Sequence, residues 1–81
     1  MTLLITVAPA GESWAIHTDH LPEDLVFPSG GKAEAMARAL AQSVVQMGKA
    51  AEIRVYLRGG ALAGVLTYAP SATETFQRRE V

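Results

Sequence analysis

The chain has 81 residues, a formal charge of −1 and no cysteine. The missing cysteines exclude a disulfide framework and a thiolate metal site, and the near-zero charge excludes the basic field that draws nucleic acid to a protein surface. This length makes one small domain with one core, of net stability about 4–12 kcal/mol.

Leu3 to Ala8 is apolar and β-branched on both sides of the pleat, which predicts a strand covered on both faces. No positively charged region precedes this run and it is too short to cross a bilayer, so neither a secretion signal nor a membrane span is expected, and the default location is cytoplasmic. Pro9 to Ser13 contains the Pro and Gly of a turn. Trp14 to Thr18 alternates large with small or polar side chains, so Trp14 and Ile16 share a face and the first two strands form a hairpin. Leu25-Val26-Phe27 is a short apolar run, read as a third strand folding back on the second. Pro28 holds Phe27 extended and marks the boundary of the next element.

Ser29 to Gly48 is the one stretch with sustained helical periodicity. Met36, Met47, Leu40, Ala33, Val44 and Ala37 fall on one arc of about 100°, opposite Glu34, Arg38, Gln42 and Gln46, with Val45 alone among the polar residues. Ser29 or Gly31 is the expected N-cap, and Gly48 the left-handed C-terminal cap. Ile53 to Arg58 then alternates strictly. Ile53, Val55 and Leu57 point one way, Arg54, Tyr56 and Arg58 the other. Gly59-Gly60 predicts a tight turn, and Ala61 to Tyr68 the last strand. Beyond Pro70 the composition becomes polar; Ser71 to Glu74 fits a capping box, so residues 71–81 form a short helix or a tail after a single domain of residues 1–70.

The expected fold is α+β, in the order ββ(β)αββ, with a largely antiparallel sheet of four or five strands and one main helix on one face. Its core should hold Ile5, Val7, Trp14, Ile16, Phe27, Met36, Leu40, Val44, Met47, Ile53, Val55 and Leu57.

Three clusters carry potential chemistry. His17-Thr18-Asp19-His20 has ligand-type side chains that suit zinc or manganese, but these are the only two histidines in the chain, a dinuclear hydrolase site needs more ligands than it supplies, and no metal or cofactor is expected. Gly30, Gly31 and Lys32 at the helix start offer exposed amides and a cation, a weak anion site beside the ordinary role of an N-cap. Arg54, Tyr56 and Arg58, with Ala15 and His17, form a candidate interaction surface on the face the helix leaves open. Such a face can stack bases, although the charge balance disfavours nucleic acid. No carboxylate pair, Ser/His/Asp set or dinucleotide fingerprint is present, so an enzyme is not expected. Small and apolar residues crowd the open face (Leu4, Thr6, Ala8 and Ala15, with Ala63 and Val65 if the last strand keeps that register), which points to a homodimer or a protein partner.

Trp14-Ala15-Ile16, Glu34-Ala35 through Ala41, and Arg58-Gly59-Gly60 together resemble a small bacterial family of unknown function. Its members have a Trp-x-Val/Ile second strand, an Ala-rich helix and a closing Arg/Asp-Gly hairpin. The likeness spans roughly residues 3–68, lacks the Asp that often stands before the turn glycine, and implies the fold without an activity. Leu21-Pro22 and Glu34-Ala35 are also similar to the antitoxin halves of Hic toxin–antitoxin systems, which have a partial RNase-H-like βββαβ core; the Gly and Cys usual after Leu-Pro are here Glu23 and Asp24. The expectation is a non-catalytic, self-associating interaction module, with a regulator that binds nucleic acid or a toxin as the alternative.

Overall fold

Two hairpin turns shape one end of the sheet. In the first, Gly11 has φ +62° and stands first in the two-residue loop between Ala10 and Ser13, the position where a type II′ turn requires a positive φ. It joins β1 (Thr2–Ala10) to β2 (Ser13–Thr18). The computed structural model describes residues 2–19 and 21–70, and the backbone of residues 75–78. β3 (Leu25–Phe27) pairs back on β2, placing Phe27 opposite Trp14 and Leu25 opposite Ile16. The helix α1 (Gly30–Gln46) follows, then β4 (Ala50–Tyr56), β5 (Leu62–Tyr68) and β6 (Thr75–Arg78). In the second hairpin the Gly60 amide donates to the Leu57 carbonyl, and Gly60 alone has a positive φ, +89°. That is a three-residue loop closed by one left-handed glycine, so Gly59 does not share the role expected of the pair.

The strands form one mixed sheet in the order β3-β2-β1-β4-β5-β6. Two antiparallel meanders run outward from a central pair, β1 and β4, which lie parallel with Ile5 beside Ile53 and Val7 beside Val55. The α+β class, the element order and the largely antiparallel pairing agree with the sequence reading. A sixth strand exceeds the four or five expected. Thr75–Arg78 pairs with β5, so this part of the C-terminal segment is neither helix nor tail; the capping box at residues 71–74 lies outside the described residues. An open β5 edge carries unpaired backbone groups, and a following segment with Thr and Phe satisfies them better by pairing than by starting a marginal helix.

The helix begins and ends where its capping residues place it. The Ser29 hydroxyl accepts the Lys32 amide at 3.2 Å, which settles the N-cap as Ser29 rather than Gly31. At the other end Gly48 has φ +83°, its amide donates to Val45 O, and the Lys49 amide donates to Val44 O. Those two bonds make a Schellman motif, the left-handed termination expected of Gly48.

The face that α1 presents to the sheet is rotated from the expected arc. Ala33, Ala37 and Ala41 are fully buried and Val44 nearly so, above Ile5, Val7, Ile16, Ala51, Ile53 and Leu66. Leu40 and Val45 flank this row and are half-buried against the core, as are Trp14, Phe27 and Val55. Three expected core residues are exposed instead: Met36 at 39%, Met47 at 64% and Leu57 at 49%. A row of alanines at a spacing of four brings the helix backbone close to the sheet, and long methionine side chains do not fit beneath it. Leu57 lies beyond the end of β4, where the chain enters the hairpin loop and the period-two pattern stops.

Candidate interaction face

One helix covers one face of the sheet. Successive residues alternate across a strand, so the pairings that place Ile5, Val7, Ile16 and Ile53 under the helix place their neighbours on the other side. There His17, Thr6, Arg54 and Val65 form one row across β2, β1, β4 and β5. Leu4, Glu52 and Thr67 form the row on one side of it, and Val26, Ala15 and Ala8 the row on the other. Among the described residues no element crosses these rows. Val26 is 64% exposed and Leu4 40%, while Thr6, Ala8, Ala15 and Val65 are half-buried by their neighbours in the same layer.

Charge on this face is balanced at short range. Arg54 Nε donates to Glu52 Oε2 at 2.5 Å, two residues along the same strand. That bond and the Glu52 charge raise the Arg54 pKa above its already high ordinary value, and the Tyr56 hydroxyl adds to the effect. At the edge, His17 Nδ1 and Asp24 Oδ1 are 2.8 Å apart, both exposed, so the imidazole ties β2 to the segment that leads into β3. The expected neighbour on the strand face, Asp19, follows the end of β2 in a turn, and His20 lies outside the described residues. Among the described residues no three His, Asp or Glu side chains come together.

Arg58 does not join Arg54 and Tyr56. Its guanidinium donates to the Gly11 carbonyl and lies 6.0 Å from the centre of the Trp14 ring. Because β1 and β4 are parallel, their hairpin turns lie at the same end of the sheet, and Arg58 links the two. Trp14 belongs to the helix side of the sheet, opposite Phe27. The interaction surface expected from Ala15, His17, Arg54, Tyr56 and Arg58 therefore loses its last member to a structural cross-link, for the same reason that Leu57 is exposed: the strand ends at Tyr56.

The glycines at the helix start have a packing role as well. A Cβ on Gly30 would stand 3.0 Å from Trp14 Cε2 and 3.2 Å from Cζ2, whereas a Cβ on Gly31 would meet nothing within 4 Å. The Ser29 cap already occupies the Lys32 amide. Gly30, Gly31 and Lys32 thus form a capped helix end seated on an indole ring, with one of the amides of the expected anion site already used.

The molecule is a two-layer α+β domain with one sheet face that no element among the described residues covers. The chain matches no family model, and no curated protein or solved structure matches it either. Among the described residues no helix is long and apolar enough to cross a membrane.

Proposed function

We propose that the protein is a non-catalytic interaction module that self-associates through the bare face of its sheet. The observation that carries this reading is the character of that face. Leu4, Ala8, Ala15, Val26 and Val65 lie on it with no covering element among the described residues, and apolar side chains left uncovered in this number favour a partner. The absence of cysteine suits a reducing compartment, and we place the module in the cytoplasm. Sedimentation equilibrium tests the reading: a dimer is expected at tens of micromolar. Thr6→Arg, at the middle of the face on β1, should convert it to monomer, whereas pairing through the β3 edge would leave Thr6 uninvolved. A wild-type protein still monomeric near 1 mM, where association is worth only about 4 kcal/mol, refutes the reading.

A second reading, a regulator that holds a protein such as a toxin, draws support from the βββαβ order of the first five elements, which is the order the Hic antitoxin likeness implies. Nucleic acid suits the face less well. Arg54 is paired with Glu52 and Arg58 with the Gly11 carbonyl, so two of the cations expected to meet phosphates are already engaged.

A further inference from the structure

We propose that two copies of the chain exchange their C-terminal halves, β4 to β6, about a hinge at residues 47–49, so that β4 of each copy lies beside β1 of the other. Such an exchange makes no use of the uncovered sheet face. The chain divides at one place. Among the described residues β1, β2 and β3 pair within one group, β4, β5 and β6 within another, and β1–β4 is the one strand pair between the groups. The helix goes with the first group. Ser29 caps its start directly after Pro28, and Gly30 stands against the Trp14 ring of β2. Its far end enters β4 through Met47, Gly48 and Lys49, all three exposed.

Gly48 makes this linker a hinge. Its closed form needs φ +83° at Gly48 and includes bonds from the Gly48 amide to Val45 O and from the Lys49 amide to Val44 O. These groups stand at an exposed helix end, where water can take the place of both bonds. Hinges are commonly a few residues at the end of an element that absorb a large change in φ and ψ. Extended, the chain from Gln46 to Ala50 spans about 14 Å, enough to cross between two copies set end to end. The linker reaches the sheet at the end where Thr2 stands beside Ala50, so the crossing chains meet no strand in their path.

What an opened copy presents selects its occupant. It offers the backbone of β1, the side chains of Ile5 and Val7, and the row Ala33, Ala37, Ala41 and Val44 beneath the helix. The element shaped to fill that cleft is β4 of this same sequence, which brings Ile53 beside Ile5, Val55 beside Val7, and Ala51 into the core. Occupant and register are therefore those of the closed chain, and no new complementary surface is required. The hydrogen bond from Arg58 to the Gly11 carbonyl also joins the two halves, and it re-forms between copies.

Each copy gives and receives the same element, so the pair closes on itself with two-fold symmetry. Closed chain and exchanged dimer share every contact outside the hinge. They differ in the linker conformation and in the freedom lost when two chains become one particle. Concentration during folding and the cost of the left-handed Gly48 therefore decide between them.

Refolding tests the exchange, read by sedimentation velocity with circular dichroism to confirm folding. Urea-unfolded chain refolded at about 1 mM and then diluted about 100-fold should retain a dimer, because separating exchanged halves requires unfolding. A dimer paired through the sheet face separates on dilution instead. Gly48→Ala disfavours the left-handed hinge by at least about fivefold per chain, so with two open hinges the dimerisation constant, equilibrated near the melting midpoint, should rise about 25-fold. The chain has no cysteine, and Thr2 and Ala50 are partners across β1 and β4. A Thr2→Cys chain refolded with an Ala50→Cys chain, and oxidised after dilution, should give a disulfide-linked heterodimer identified by mass, since the bond requires Cα atoms within about 7 Å. Monomer alone from both wild type and Gly48→Ala, a dimer lost on dilution, or a persistent dimer without that cross-link overturns the exchange. None of these results removes the face-pairing reading, which the native protein's response to Thr6→Arg decides separately.

Discussion

Gly30 and Gly31 are adjacent, both lie in the first turn of α1, and neither has a positive φ. Replacing either with alanine removes backbone freedom from the unfolded chain, which in a helix is worth about 0.5–1 kcal/mol. The two positions differ in what the added methyl meets. At Gly31 there is open space, so Gly31→Ala should stabilise by about 0.5 kcal/mol, the lower end because the position is near the helix terminus. At Gly30 the methyl would press on Trp14 at 3.0–3.3 Å from three ring atoms. The ring has little room to yield, since it packs against the core opposite Phe27 and carries the Arg58 guanidinium nearby. Overpacking of this kind costs about 1–3 kcal/mol. Set against the helix gain, Gly30→Ala should destabilise by about 0.5–2 kcal/mol. Urea melts followed by far-ultraviolet circular dichroism give the comparison, because Trp14 is the sole tryptophan and its fluorescence would itself change in the variant. Equal stabilisation by both substitutions would refute the account of Gly30 as the seat of the helix on the indole.

Two further outcomes follow from the core. Thr18 is 3% exposed and its hydroxyl has no hydrogen-bond partner among the described residues; Thr18→Val should therefore raise stability by about 1–2 kcal/mol in a urea melt, and a loss would show that the hydroxyl is bonded. Ala37→Leu should cost about 1–3 kcal/mol by lifting the helix from the sheet, while Met47→Ala, at an exposed position, should change stability by less than about 0.5 kcal/mol; comparable midpoint shifts for the two would contradict the alanine-row packing.

Much of the fold was legible because its signals are local. Alternation located β2 and β4, Pro28 and Ser29 marked the helix start, and Gly48 its end. The phase of the helix was not legible in the same way. A wheel weighted by hydrophobicity centres on Met36, Leu40 and Met47, whereas the contact is governed by closeness of approach, which the smallest residues provide. Arg58 was misplaced because period two was carried past the end of β4 at Tyr56; the Gly59-Gly60 pair, which ends the strand early, was the available hint. The parallel neighbours β1 and β4 were beyond reach, since strand order depends on pairings far apart in the chain. The placing of Ala15, His17 and Arg54 on the candidate face follows from alternation alone. The role of Glu52 was missed, although it stands two residues before Arg54 on the same strand, the spacing at which side chains share a face.

The seam between β1 and β4 also bears on how the chain folds. Each three-strand meander pairs only with its own neighbours in sequence, and the halves join along β1 and β4 alone, where Thr2 meets Ala50. Closing a loop of about 50 residues costs conformational entropy before any contact across it is gained. The rate-limiting event expected from this topology is the docking of two locally formed halves, with α1 in contact with both. Substitutions at the seam, such as Ile53→Val, should slow folding, while those in the outer strands should act mainly on unfolding. Until the seam closes, β1 and β4 each expose an unpaired edge, so a second chain's half competes with the chain's own for the same strand.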